Sequence, residues 1–208
     1  MKPTCYRCHE PMTPQGTCGC NDGICLVCGD CREVLPLLEA GCVDLVLTDP
    51  PYPDALTDQW ETVDITFLNT VQCKQIVFWS AMAPFPLDYT GIHVWVKAGT
   101  GVGRMYERIF ERNGARECLA FREQILNNQF NARIAGDVFT GHPAQKPYRL
   151  VRRLVMRGKG PLVLDPFVGS GTTLRAAKDL GRRAIGIEIE EKYCRIAANR
   201  LRQEVLFT

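Results

Sequence analysis

The chain has 208 residues, a formal net charge of +2 and a sequence pI near 8.0. This length suits one ordinary domain with a small appendage, and the nearly balanced charge neither favours nor excludes nucleic acid as a partner. No stretch reaches the roughly 18 apolar residues of a membrane span, and the opening MKPTCYRCHE lacks the apolar core of a signal peptide. The sequence therefore predicts a cytoplasmic protein with no membrane partner.

Cysteines are concentrated at the start of the chain, where seven of the eleven lie within the first 31 residues. In a reducing compartment, clustered cysteines bind metal more often than they form disulfides. The predicted ligands of a structural zinc ion are two pairs of thiolates, which can close a tetrahedral site: Cys5, Cys8, Cys18 and Cys20. Weaker candidates are Cys25, Cys28 and His9, and the alternative is a tail of free cysteines.

The remaining elements alternate between strands and helices. The predicted strands are ICLVC (24–28), VDLVLT (43–48), QIVFWSA (75–81), IHVWVKAG (92–99), PLVLDPF (161–167) and RRAIGIEI (182–189). The predicted helices are REVLPLLEAG (32–41), YRLVRRLVMRG (148–158), TTLRAAKDLG (172–181) and EEKYCRIAANRL (190–201). MYERIFERNGA opens as an amphipathic segment, and residues 120–141 have no clear period. This alternation predicts an α/β fold with a doubly wound, mainly parallel sheet over residues 24–208, preceded by a zinc-knuckle-like segment at 1–23.

A glycine-rich turn follows one of these strands, in VLDPFVGSGTT. The turn contains Gly169 and Gly171 but no G-K-[ST], which disfavours a phosphate-cradling loop. Glu188 stands 17 positions after Gly171 at the end of the next strand, where an acidic residue typically binds ribose hydroxyls. A ligand with a ribose and no phosphates fits this pattern. The alternative is an ordinary α/β turn that has glycines for its geometry.

Four motifs in order resemble the β-class amino-methyltransferases of DNA. They are VCGDCREVL, the DPPY at 49–52, HPAQKP at 142–147 and FVGSG at 167–171. The resemblance covers about residues 24 to 201 and implies a Rossmann-like methyltransferase fold, S-adenosylmethionine as cofactor and DNA as substrate. In this family the catalytic motif precedes the cofactor motif, as it does here.

The resemblance also implies roles for individual residues. The methionine end of the cofactor is assigned to Asp165, Phe167, Gly169, Gly171 and Thr172. Glu188 is expected at the ribose, Asp30 at the adenine ring and Lys146 in a segment that closes over the cofactor. Simpler readings remain open, in which Asp30 caps the following helix, Asp165 caps the turn and Lys146 is solvated.

The catalytic residues expected from the resemblance are Asp49, Pro50, Pro51 and Tyr52. An exocyclic amine is a weak nucleophile because its lone pair is delocalised into the base. The Asp49 carboxylate and the Pro50 carbonyl would each accept one amine hydrogen, the carboxylate would stabilise the charge that develops on nitrogen, and Tyr52 would stack on the flipped base. An Asp at the first motif position resembles the adenine N6 enzymes more than the cytosine N4 enzymes.

Alternatives to this function are N4-cytosine methylation, RNA methylation, and a zinc-knuckle module that binds nucleic acid on an inactive scaffold. Methylation of a protein amide is disfavoured by Asp49 and by the motif order. Little of the chain is left for reading bases. The knuckle, the loop 53–63 and the stretch 122–141 must share that task, or a second copy of the chain in a homodimer must help, so a short target is expected.

Overall fold

The computed structural model describes residues 2–53, 62–98, 106–124 and 137–203. The strands are β1 (Ile24–Cys28), β2 (Leu45–Thr48), β3 (Lys74–Trp79), β4 (Gly91–Ala98), β5 (Tyr106–Arg112), β6 (Ala120–Gln124), β7 (Leu162–Asp165) and β8 (Arg183–Glu188). The α-helices are α1 (Cys31–Val34), α2 (Tyr148–Arg157), α3 (Thr172–Asp179) and α4 (Glu191–Arg202), and 3-10 turns cover Leu35–Leu37 and Thr66–Thr70. Within these ranges no helix is long and apolar enough to cross a membrane.

Within the described ranges, eight strands form one sheet in the order β1-β8-β7-β2-β3-β5-β4-β6. Five of the seven neighbouring pairs are parallel, and only β5 runs against both of its neighbours. This confirms the mainly parallel α/β sheet. The amphipathic segment MYERIFERNGA forms the antiparallel strand β5.

Two predicted elements are shorter than expected. The first predicted helix stops at Val34, where Pro36 follows and a 3-10 turn replaces the helix. The second strand begins at Leu45 and not Val43 because the Asp44 side chain accepts a hydrogen bond from the backbone of Leu162, at 2.8 Å. The other predicted strands and helices are present, and their ends differ from the predicted ones by at most two residues.

Apolar side chains cover both faces of the sheet. One cluster joins sheet residues such as Ile24, Leu45 and Phe78 to the inner faces of α2, α3 and α4. The other cluster lies on the opposite face, and it includes Cys5 and Met12 from the N-terminal segment. The N-terminal segment therefore packs against the sheet as part of one of its covering layers.

Candidate active site

The predicted site residues lie at one edge of the sheet. In the order β1-β8-β7-β2 the neighbours are parallel, so the carboxyl ends of these strands meet along a single edge. That edge contains, one after another, the segments that follow the strands: Asp30, Glu188, Asp165 with the glycine turn, and the DPPY segment. The fold brings together four acidic residues that are far apart in the sequence.

Asp49 directly follows β2 and forms an ion pair with Lys146, whose Nζ donates to Asp49 Oδ2. The other carboxylate oxygen, Oδ1, is buried and has no hydrogen-bond partner among the described residues. Burial raises the pKa of Asp49, and the Lys146 ammonium opposes that rise. The structure thus places an acceptor without a donor at the predicted catalytic position.

The aromatic member of the DPPY segment packs beside the same carboxylate. The Tyr52 ring lies 5.8 Å from the ring of Trp79, centroid to centroid, with an interplanar angle of 54°. Pro50 is buried and Pro51 is half-buried. Burial raises the pKa of the Tyr52 hydroxyl, so this ring stays neutral at physiological pH.

The glycine turn joins β7 to α3 through backbone conformations that favour glycine. Gly169 and Gly171 have φ angles of +50° and +77°, in the left-handed region. The backbone N–H of Gly169 donates to Glu188 Oε2 at 2.8 Å. A β-carbon on Gly169 would lie 2.9 Å from His142 Nε2, and one on Gly171 would lie 2.9 Å from the β-carbon of Ala197. The turn is packed too closely for side chains at either glycine.

Asp165 ends β7 directly below this turn. Its Oδ1 accepts hydrogen bonds from Thr48 Oγ1 at 2.8 Å and from the Phe167 N–H at 3.1 Å. Burial raises the pKa of Asp165 to about 7. The carboxyl group therefore caps the turn, as the simpler interpretation of Asp165 predicted. Its hydrogen bond with Thr48 also connects β7 to β2, the strand that leads into Asp49.

The two remaining acidic residues, Glu188 and Asp30, lie at the carboxyl ends of the neighbouring strands β8 and β1. Glu188 Oε1 accepts from the backbone of Glu190 at 2.9 Å, and burial raises the pKa of Glu188. Asp30 caps α1 by accepting from the Arg32 N–H at 2.8 Å, and the Arg32 side chain lowers the pKa of Asp30. The structure thus contains the helix-capping contact of Asp30. The expected contact of Asp30 with the adenine ring stays a prediction.

The HPAQKP segment lies between the two predicted motifs. The His142 ring packs 4.4 Å from the ring of Tyr193, and burial lowers the pKa of His142 to about 4. The carbonyl oxygen of Lys146 accepts from Thr172 Oγ1 at 3.4 Å, whereas the Lys146 ammonium reaches Asp49. Lys146 therefore connects the glycine turn with the DPPY segment.

The four predicted metal ligands also come together. The sulfur atoms of Cys5, Cys8, Cys18 and Cys20 all lie within 4.8 Å of one another, and those of Cys5 and Cys20 are 3.8 Å apart. His9, Cys25 and Cys28 are not part of this cluster among the described residues. The segment adds backbone contacts to the edge strand β1, including Tyr6 N–H to Leu26 oxygen at 2.6 Å.

Comparisons with known proteins agree with the motifs. The family model described as DNA methylase, of the N6/N4 type, matches residues 121–199. The Escherichia coli K12 protein YubD is 30% identical over 200 residues, which cover 83% of this chain and 88% of YubD. The chain belongs to the N6/N4 DNA methylase family.

Two further relatives differ in how much of their length aligns with this methylase. The DNA adenine methyltransferase YhdJ of E. coli K12 is 25% identical over 250 residues, covering 87% of this chain and 83% of YhdJ. The type II methyltransferase M2.DpnII of Streptococcus pneumoniae is 52% identical over only 65 residues, which are 30% of this chain and 24% of that protein. This methylase therefore matches less than two thirds of M2.DpnII.

Solved structures support the methyltransferase fold. The Thermus thermophilus protein TTHA0409 is 27% identical with a TM-score of 0.56, over 87% of this chain and 95% of that one. The cytosine-N4-specific PvuII DNA methyltransferase is 17% identical with a TM-score of 0.61, over 89% of this chain and 88% of that one. At that identity the PvuII enzyme supports the fold alone.

Two charged residues at the site of this methylase were not predicted. Glu107, near the start of β5, is buried beside Lys146, and Arg200 of α4 donates to Thr172 Oγ1 at 2.9 Å and pairs with Asp137 at 3.1 Å. An isolated glutamate in an amphipathic stretch, or an arginine in a charged helix, has the sequence pattern of a solvated side chain. Only the antiparallel course of β5 and the packing of α4 bring them to the site.

Proposed function

We propose that this methylase transfers a methyl group from S-adenosylmethionine to the exocyclic N6 amine of adenine in DNA. The observation that carries the proposal is the partly buried Asp49 carboxylate. It is paired on one oxygen with Lys146 and lacks a donor on the other among the described residues, at the sheet edge that also holds the glycine turn. A buried acceptor without a partner is costly, and a bound amine would supply the missing donor.

The residues of the edge fit S-adenosylmethionine. The left-handed glycines bring the backbone of the turn close to any bound molecule, and Glu188 presents its carboxylate at the end of the next strand, where it can accept from ribose hydroxyls. Asp165, Phe167 and Thr172 would border the methionine portion, and Asp30 the adenine ring. When bound, this cofactor supplies an electrophilic methyl group.

The protein residues would act on the amine. The Asp49 carboxylate and the Pro50 carbonyl would each accept one amine hydrogen, which directs the nitrogen lone pair out of the base plane. The carboxylate would also stabilise the positive charge that develops on nitrogen. Tyr52 would stack on the base after it leaves the duplex, and the Trp79 ring, tilted by 54° at 5.8 Å, would pack against the tyrosine.

The choice of adenine over cytosine rests on two observations. Asp occupies the first position of the motif, and YhdJ, which aligns over most of this chain, is named a DNA adenine methyltransferase. A carboxylate can hold the amine of either base, so N4-cytosine methylation is the alternative. The segments expected to read the target, 53–63 and 122–141, lie largely outside the described residues.

Nucleoside mass spectrometry on DNA from cells that express the protein tests this proposal. We expect N6-methyladenine with the wild type and none with Asp49→Ala, while calorimetry should give similar S-adenosylmethionine affinities for both proteins. N4-methylcytosine without N6-methyladenine would contradict the choice of base. Methylation of RNA but not DNA would contradict the substrate, and absence of cofactor binding would favour an inactive scaffold.

We also propose that the four clustered cysteines bind one structural zinc ion. Zinc–sulfur bonds of about 2.3 Å in a tetrahedron separate the sulfur atoms by about 3.8 Å, which matches the Cys5–Cys20 separation. The segment contributes Cys5 and Met12 to the apolar layer beneath β1 and β8. A metal at this position would hold that layer together and thereby support the cofactor edge indirectly.

Elemental analysis of protein purified without chelator tests the zinc proposal. We expect about one zinc per chain in the wild type and in Cys118→Ser, which changes an exposed cysteine outside the cluster. Cys18→Ser should lose most of the metal and some thermal stability. A wild-type preparation without zinc that is as stable as a zinc-reconstituted one would contradict the proposal.

A further inference from the structure

Four side chains of alternating charge form a chain of ion pairs at the catalytic edge. Lys146 Nζ contacts Asp49 Oδ2 and lies 3.5 Å from Glu107 Oε2, and Lys97 Nζ lies 2.6 Å from Glu107 Oε1. Glu107 is 6% exposed and Lys146 is 9% exposed. The ion pairs therefore link the residues in the order Asp49, Lys146, Glu107 and Lys97. The four side chains together carry no net charge when all of them are ionised.

The sheet topology explains why these groups meet. β4 runs parallel to β3 while β5 is antiparallel to both, so the carboxyl end of β4 and the amino end of β5 lie at the edge where Asp49 stands. Lys97 comes from the first of these ends and Glu107 from the second. Burial of a glutamate at this position costs free energy unless its carboxylate is paired with the lysines.

Lys146 occupies a restricted position between the two carboxylates. Its ammonium nitrogen lies 5.3 Å from the centroid of the Phe78 ring and 5.9 Å from that of Trp95, within range of cation–π attraction. Glu107 Oε2 is buried and has no hydrogen-bond partner among the described residues, so its interaction with Lys146 is the longer-range charge attraction. The Lys146 ammonium is therefore attracted by both carboxylates, that of Asp49 at closer range and that of Glu107 at 3.5 Å.

We propose that Glu107 is a positioning residue that shares the charge of Lys146, so that the lysine neutralises the Asp49 carboxylate less completely where the target amine binds. This inference rests on the proposed function of Asp49. Without Glu107, Lys146 would pair with Asp49 alone and the edge would carry an additional positive charge. That charge would oppose both the cation that forms on the amine and the sulfonium of the cofactor.

The first experiment measures binding without turnover. Calorimetry compares the affinities of S-adenosylmethionine, which carries the sulfonium charge, and S-adenosylhomocysteine, which does not. Glu107→Gln should weaken the affinity for S-adenosylmethionine, relative to that for S-adenosylhomocysteine, by about threefold or more, because the local charge becomes more positive. Glu117→Gln, which removes a carboxylate paired with Arg157 at the other end of β5, should leave the ratio unchanged.

The second experiment is a double-mutant cycle on DNA methylation. Glu107→Gln should lower kcat by about 10- to 100-fold with little change in the KM for DNA, and Glu107→Asp should recover part of the loss. In a Lys146→Met background the same substitution should change kcat by less than about twofold, because Glu107 acts through the lysine. Should Glu107→Gln fail to fold, Glu107→Asp takes its place in the same cycle.

The outcomes separate this inference from the proposed function. An active wild type whose Glu107 variants keep both the normal cofactor ratio and the normal kcat would overturn the inference alone. Equal losses with and without Lys146 would also overturn it, since they indicate a role in folding. A wild type that methylates no DNA would refute the proposed function, and the binding ratio would still decide the role of Glu107.

Discussion

The close approach of α4 to the glycine turn makes Gly171→Ala a quantitative test of the site. The new β-carbon would lie 2.9 Å from the β-carbon and 3.0 Å from the α-carbon of Ala197, and the φ angle of +77° is unfavourable for alanine. The left-handed conformation costs about 1–2 kcal/mol. Forcing apart two packed backbones costs about 1–3 kcal/mol more. The expected loss in the free energy of unfolding is about 2–5 kcal/mol.

Gly181→Ala provides a matched control. Gly181 also has a left-handed φ angle, +67°, but its β-carbon would meet nothing within 4 Å among the described residues. The control should therefore lose only the conformational part, about 1–2 kcal/mol. Because the structure places the added atom at Gly171 against α4, the comparison of the two variants isolates the packing of α4 on the turn.

Urea denaturation followed by circular dichroism measures both variants at equilibrium. The difference between them should be about 1–3 kcal/mol, and the corresponding difference in Tm about 2–12 °C for a chain of this size. If Gly171→Ala is no less stable than Gly181→Ala, then α4 does not pack against the turn as described. The cofactor edge would then be built differently from the one on which the proposed function relies.

Three further substitutions or treatments test other parts of the structure. Arg200→Met leaves the buried Asp137 carboxylate without its ion pair and should lower the free energy of unfolding by about 3–5 kcal/mol, measured by urea denaturation. Burial raises the pKa of Asp165 from 3.8 to about 7, so the native carboxyl binds its proton more tightly and its contribution to stability falls from pH 4 to pH 7, whereas His142, whose pKa burial lowers to about 4, contributes in the opposite direction. Thermal melts should therefore show that Asp165→Asn gains stability relative to the wild type as the pH rises from 4 to 7. Removal of metal with a chelator should lower the Tm of the wild type, and should have a smaller effect on Cys18→Ser, which is expected to have lost most of its zinc already.

Several features of the methylase could be predicted from the sequence because local patterns encode them. Apolar runs bounded by glycine and proline located β1, β3, β7 and β8, and the glycine turn identified the segment between β7 and α3. Thiolates at short spacings predicted the cysteine cluster that the structure brings together. In each case the residues that signal the feature are neighbours in the chain.

The tertiary structure decided how distant charges meet. The pairing of Lys146 with Asp49, 97 residues apart, joins the segment before α2 to the segment after β2. The burial of Glu107 depends on the antiparallel insertion of β5. No local pattern encodes either arrangement. The position of Arg200 against Thr172 depends likewise on how α4 packs against α3. Local sequence determines which segments become strands, helices and turns, because those preferences act over a few residues. The charges around Asp49 are set by strand order and helix packing, because buried ion pairs form only where the folded chain excludes water.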